Sequence, residues 1–328
     1  MVPCFALLVL SFFCGKENVM IDLHHDLLSI LYYCHLHGRE DYLKEWIQNF
    51  HKENVSGLLA NLYYMSKEEM RKEMGEKEID VLEMFQLSTT LFQKYLPNVP
   101  VRFSIEGCDY IHGVEELEEL YKLGLRNILL VWNEPNRYGS GNRGDYGLTD
   151  EGKEFLIKAI DLGISIDMSH MNTKTFFDTI ALIKEQKLLG KEVKVLASHS
   201  NSLEVCEHPR NLSEEQIQAL KEVGGLLGLV AYEPFVRDEN HKEDLKELYL
   251  SHIEKAVLMM GVDHVGISSD DMTFSIALFG EDYGNMVFDY SNIQKELKNL
   301  LMTRYSEEDT NKILFQNAYD YLLKEELK

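Results

Sequence analysis

A chain of 328 residues with 45% hydrophobic content is long enough to bury a large core and fits an ordinary soluble globular protein. Its formal net charge of −22 argues against a nucleic-acid partner, because phosphate binding needs a basic face. Five cysteines without a pairing pattern argue against a disulfide framework and fit a reducing compartment, so a cytoplasmic location is expected.

Residues 1–19 stand apart from the rest. "PCFALLVLSFFC" is apolar for twelve residues, too short to span a bilayer, and no Lys or Arg precedes it as in a secretory signal. Phe13 sits where lipoprotein processing before Cys14 needs a small residue. Two readings stay open. The segment is an export or lipid-anchoring signal, or it is an upstream reading frame joined to a true start at Met20. The second is suggested by "GKENVM", which codons containing AAGGAG before an ATG encode, as at a bacterial ribosome-binding site. No stable membrane span is expected on either reading.

From Met20 the chain alternates. Short runs rich in Val, Ile and Leu fall at 19–25, 56–64, 101–107, 127–133, 164–170, 193–199, 225–232 and 264–270. Between them lie charged stretches such as "VEELEELYKLG" (114–124) and "DEGKEFLIKAIDLG" (150–163), apolar at helical spacing and closed by Gly. Eight strands alternating with helices predict a (β/α)8 TIM barrel better than an open sheet. Two further helices are expected at the C-terminus, the second opened by a capping box at Ser306 and Asp309. No linker or repeat divides residues 20–328, which read as one domain.

Active-site residues of such barrels project from the carboxyl ends of the strands. The run "VMIDLHHDLL" ends in His24 and Asp26, a His-x-Asp pair whose side chains share one face of an extended chain. Glu106 closes the third run, Trp132 and Asn133 the fourth, His170 the fifth, His199 the sixth and Asp270 the eighth. Imidazole and carboxylate together are the ligand set of a borderline metal such as Zn²⁺, without excluding Mn²⁺ or Co²⁺. Five such groups, Asp270 apart, exceed what one tetrahedral ion with an open position requires, whereas two ions sharing a bridging carboxylate would use them all.

The motifs "IDLHHDLL", "SIEGCD", "GISIDMSHMN", "SHSNSLEVCEHPRNLS", "GGLLGL" and "DHVGISSD", in this order, resemble the membrane dipeptidase (renal dipeptidase) family of binuclear zinc peptidases. The resemblance covers nearly everything from Met20 onward. It implies a metal-dependent hydrolase barrel in which His24 and Asp26 bind one zinc, Glu106 bridges both ions, and His170 and His199 bind the second. It further implies that Asp270 handles protons around the attacking water, and that Arg210 of "HPRN" holds the carboxylate end of a dipeptide. A homodimer is common in the family.

Some positions depart from the family pattern. Trp132 stands where many members carry a substrate-binding His, leaving Asn133 or Asn136 as hydrogen-bond donors to an oxyanion. "DDM" replaces Asp-Phe-Asp after the eighth strand, so Asp271 competes with Asp270. Cys108 replaces a glycine near the metals and reads as a small buried residue. Plainer readings apply elsewhere. His25 is turned away from His24 by alternation, His35, His37, His51, His112 and His241 read as solvent-facing, and His208 supports Arg210. His252 and His264 are expected to satisfy local hydrogen bonds. The function expected is hydrolysis of L-Xaa-L-Xaa and L-Xaa-D-Xaa dipeptides by a metal-activated water. The alternatives are a barrel amidohydrolase for another amide (an N-acyl amino acid or β-lactam) and an inactive binding protein that kept the metal site. Side-chain preference is expected to lie in the loops 133–149 and 233–250.

Overall fold

A computed structural model describes residues 20–52, 55–63, 80–238, 241–279 and 284–324. The two readings of residues 1–19, and His51 as a side chain, lie outside the described residues. Strands β1 (Met20–His25), β2 (Val55–Tyr63), β3 (Val101–Glu106), β4 (Leu125–Leu129), β5 (Ser165–Asp167), β6 (Val195–Ala197), β7 (Leu226–Val230) and β8 (Val265–Ser268) form a closed barrel in chain order. Each pairs in parallel with the next, and β8 returns to β1 through Asp22 and Ile267. Helices α1 (Leu27–Leu36), α2 (Glu40–Lys52), α3 (Val81–Tyr95), α4 (Val114–Lys122), α5 (Asp150–Asp161), α6 (Thr173–Leu188) and α7 (Glu214–Glu222) follow the strands in turn. The short α8 (Glu233–Val236) and the longer α9 (Leu245–Met260) connect β7 to β8.

Parallel strands buried on both faces carry near-continuous apolar runs, as β2 and β7 do here. The large core lies between the barrel wall and the helices, where Phe85, Leu117, Phe155 and Ile253 pack. A second, smaller core fills the barrel itself. Ile21, Leu23, Leu59, Leu196 and Leu226 meet Phe315, Ala318, Leu322 and Leu323 there. Burial of Leu23 alone stabilises by roughly 1.5–3 kcal/mol. Gly228 makes this interior possible, since a Cβ on it would come within 1.9 Å of the Ser198 carbonyl oxygen and 3.1 Å of Leu23.

The C-terminal helices follow as α10 (Thr273–Phe279), α11 (Ile293–Leu301) and α12 (Glu307–Asn311), and the side chain of Ser306 accepts from the Asp309 amide as its cap. The expected single last helix is instead a short α-helix running into π-helical turns at Lys312–Gln316 and Tyr319–Leu323. Asn317 within it donates to the Val262 and Val265 carbonyls, fixing this segment under the amino-terminal end of β8. The barrel is thus closed from below by its own C-terminus and left open at the carboxyl ends of the strands. β4 ends at Leu129, earlier than expected, so Trp132 and Asn133 belong to the loop above it.

Candidate metal centre

His24 stands near the end of β1, Asp26 one residue past it, and Glu106 ends β3. His170, His199 and Asp270 follow β5, β6 and β8 within three residues. The fold brings all six to one spot. Glu106 is the hub: its Oε2 lies 3.1 Å from His24 Nε2, and its Oε1 lies 2.8 Å from His170 Nε2 and 3.5 Å from His199 Nε2. On the His24 side, Asp26 Oδ1 is 3.5 Å and Asp270 Oδ1 3.8 Å from the same Nε2. On the other side the Nε2 atoms of His170 and His199 are 2.9 Å apart. Each oxygen of one carboxylate therefore faces a separate imidazole set. His24–Asp26–Asp270 and His24–Glu106–His199 each bring their ligand atoms close enough to hold a metal ion.

The electrostatics match this donor set. Burial alone would push His24 down, but Glu106, Asp26 and Asp270 outweigh it and hold the imidazole well above its ordinary value. Burial lowers His170 to about 3, helped by Arg210, and drives His199 well below its usual range. In both rings burial thus favours the neutral form, the form in which an imidazole can bind a metal. Glu106 is held below the usual carboxylate range despite burial, by His24 and His170. Burial raises Asp270 to about 7, with Asp26 and Glu106 adding to it against His24 and Arg210. Among the described residues, the buried His24 Nε2 and Asp26 Oδ1 make no hydrogen bond of good geometry. Buried polar atoms rarely stay orphaned, and a divalent cation would satisfy both. The residues fit a metal.

Imidazole ligands are usually held at their other ring nitrogen. His170 Nδ1 lies 3.0 Å from Asn133 Oδ1, so Asn133 meets the site through this ring. His24 Nδ1 lies 3.0 Å from the Asn61 side-chain amide of β2, and His199 Nδ1 lies 2.8 Å from Ser198 Oγ. Asn61 escaped sequence reasoning because "SGLLANLYY" reads as a buried apolar run. Its only signal is an amide among apolar neighbours. Replacing Asn133 by Ala is expected to weaken metal affinity roughly 10- to 100-fold. Competition with a chromophoric chelator measures this, and unchanged affinity would show that Asn133 does not orient His170.

Trp132 lines the same mouth, its ring 5.0 Å from Tyr63 and 6.0 Å from His170. Asn136 is occupied elsewhere. Its Nδ2 donates to the Leu130 carbonyl and Asp109, and its Oδ1 accepts from the Tyr138 and Gly139 amides. Its side chain therefore holds the loop, which favours Asn133 of the two candidate oxyanion donors. Asp271 turns away, accepting from the Thr273 amide and hydroxyl. The Cys108 thiol donates to the Leu129 carbonyl and is pushed up by burial, which makes it a packing residue. His25 is fully buried between Trp46 and Tyr290, as alternation predicts.

Arg210 comes from the loop after β6. It is 4% exposed, Nη2 donates to the His199 carbonyl, and its guanidinium lies 5.4 Å from the Phe235 ring centroid. His208 Nδ1 accepts from the Arg210 amide, so it supports the loop as expected. Among the described residues no carboxylate pairs with Arg210, and its Nε has no partner. A buried guanidinium without a counter-ion is costly and calls for an anion.

A closed parallel barrel with imidazoles and carboxylates gathered at the carboxyl ends of its strands defines a metal-dependent hydrolase barrel. Its sequence matches the profile of the membrane dipeptidase family, peptidase family M19, over residues 52–325. The chain belongs to that family and is a hydrolase acting on peptide bonds. It is 30% identical over 224 residues to an uncharacterized protein encoded 5′ of pqqA in Klebsiella pneumoniae, covering 65% of this chain and 77% of that protein. Among solved structures, a family M19 metallopeptidase named dipeptidase AC superposes with a TM-score of 0.73 at 21% identity, covering 94% of this chain and 98% of that one. A Rhodobacter sphaeroides metallopeptidase, liganded with a phosphinate mimic of L-Ala-D-Ala, gives 0.71 at 20% identity over 93% and 99% of the two chains. Among the described residues no helix is long and apolar enough to cross a membrane.

Proposed function

We propose that the protein hydrolyses dipeptides at a centre of two divalent cations, zinc by the chemistry of the donor set. The observation that carries this reading is the split of Glu106, one oxygen toward His24 and the other toward His170 and His199. His24 and Asp26 would hold one ion, His170 and His199 the other, with Glu106 between them. Bound there, the ions supply Lewis acidity that lowers the pKa of water toward 7 and polarises a carbonyl, in roughly the way known for zinc enzymes. Asp270, beside His24 and Asp26, would take a proton from the attacking water and return it to the leaving amine. Arg210 reads the substrate carboxylate and so sets the distance from scissile bond to C-terminus. Trp132 and Tyr63 form an aromatic wall that keeps bulk water from the mouth.

Metal-stripped protein reloaded with zinc should release amino acids from L-Ala-L-Ala and L-Ala-D-Ala but not from N-acetyl-Ala-Ala or Ala-Ala-Ala. The liganded Rhodobacter structure is the reason to include a D-residue on the carboxyl side. Cleavage of the acetylated compound would move the reading to a broader amidohydrolase. Silence on all four substrates with metal bound would favour a binding protein or a different amide.

Arg210→Met should raise KM for L-Ala-L-Ala far more than it lowers kcat. Losing one partner of a buried charge pair costs about 2–5 kcal/mol, so kcat/KM should fall by roughly 30-fold or more. The C-terminal amide of the same dipeptide should be a poor substrate for both proteins and respond little to the substitution. Equal losses on acid and amide would remove Arg210 from carboxylate recognition.

A further inference from the structure

Two buried aspartates lie behind the metal centre without belonging to it. Asp22 in β1 and Asp167 at the end of β5 are both fully inaccessible. Their strands stand halfway round the barrel from each other. Asp22 Oδ1 accepts from the amide of His24 in its own strand and, at 2.8 Å, from the amide of Ser269 beyond β8. Its Oδ2 accepts from the Ser269 hydroxyl at 2.5 Å and from Tyr290 at 3.4 Å. Asp167 Oδ1 repeats the pattern, accepting from the amide of Ser169 two residues on at 3.1 Å and from the amide of Ser198 beyond β6 at 3.0 Å.

The parallel goes further. In both places the serine on the neighbouring strand immediately precedes a residue of the centre, Asp270 after Ser269 and His199 after Ser198. A second bond closes each seam: the Asp270 amide donates to the His24 carbonyl at 3.1 Å, and the His199 amide donates to Ser169 Oγ at 3.1 Å. Among the described residues the only non-glycine positive φ angles are at His170 (71°) and Asp270 (47°), one beside each seam. Such backbone persists only where its surroundings over-determine it. Backbone amides donating to a buried carboxylate are a strong form of such constraint.

We infer that Asp22 and Asp167 are paired positioning residues, each fixing one half of the metal centre by tying together two adjacent strand ends. Asp22 holds His24 and Asp270, and Asp167 holds His170 and His199. This rests on the two-cation reading above. The expected consequence is an unequal response of the two binding steps, because the halves are built on opposite seams and meet at Glu106 and where the His24 ring lies 3.7 Å from that of His199.

The test is titration of metal-free protein with Co²⁺, followed by visible absorption and calorimetry. Wild type should take up two ions. Asp22→Asn, which keeps shape and one acceptor oxygen, should weaken one of the two binding steps by roughly 10- to 100-fold and leave the other. Asp167→Asn should weaken the opposite step, and the double variant both. Ser269→Ala and Ser169→Ala remove a single hydroxyl from each seam, and should weaken the same respective steps by smaller factors if the Asn variants do not fold. Leu322→Ala, which loosens the far end of the barrel, is the control for general destabilisation and should leave both steps alone. Variants that bind both ions as wild type does would overturn the inference, as would both Asn variants weakening both steps alike. A wild-type chain binding fewer than two ions would instead overturn the two-cation reading, and the inference with it.

Discussion

Glu106→Gln is expected to abolish turnover and strip the protein of both ions on dialysis. The carboxylate is 2% exposed and, among the described residues, is the one group in contact with His24, His170 and His199 alike, so these donors are arranged around it. Gln keeps the shape, loses the charge, and replaces one ligating oxygen with an amide nitrogen that does not bind metal. Glu106 is also the largest influence that raises His24 against the lowering effect of burial, so its loss would remove much of that support. Removal of an outer hydrogen-bond partner of a ligand already costs roughly 10- to 100-fold in metal affinity. A shared ligand should cost more. Elemental analysis of the dialysed variant against wild type decides the matter, and retention of both ions would exclude a bridging Glu106.

The same crowding explains why much of the centre was legible in the sequence. A parallel barrel exposes reactive side chains at one place in its repeat, so His24, Glu106, His170, His199 and Asp270 could be read from the ends of apolar runs. Period alone also turned His25 outward, where Trp46 and Tyr290 enclose it. What stayed hidden is what serves these residues from behind. Asn61, Asp22 and Asp167 sit within apolar strands, and nothing in their spacing distinguishes a structural polar group from a ligand. Only hydrogen-bond partners on neighbouring strands reveal their work, and strand neighbours are a tertiary fact. Nor could the sequence choose between Asn133 and Asn136, since the four loop contacts of the Asn136 side chain come from residues whose approach depends on the folded turn. The π-helical C-terminus is likewise set by the barrel it closes, because its sequence carries an ordinary helical period.

The consecutive aspartates after β8 offer the sharpest division of labour. Asp270 lies 3.8 Å from His24 Nε2, retains 14% of its side-chain surface and adopts a positive φ. Asp271 is 2% exposed and accepts from the Thr273 amide and hydroxyl, holding the start of α10. A proton carrier must reach the reacting atoms, and of these two aspartates Asp270 is the one beside the imidazole cluster. Asp270→Asn should lower kcat by about 10²- to 10⁴-fold, the usual contribution of a positioned acid–base group, with a much smaller change in KM. Asp271→Asn retains the oxygen that accepts from the Thr273 amide, so kcat should stay within a few-fold of wild type while Tm falls by about 2–4 °C per kcal/mol lost. Metal content must be measured in both, because Asp270 also borders the His24–Asp26 donor group and its loss of charge could reduce occupancy. Fully loaded Asp270→Asn protein turning over at the wild-type rate would remove the proton role from Asp270. A loss of kcat in Asp271→Asn with Asp270→Asn intact would transfer that role one residue along, and would require the turn after β8 to reorganise when substrate binds.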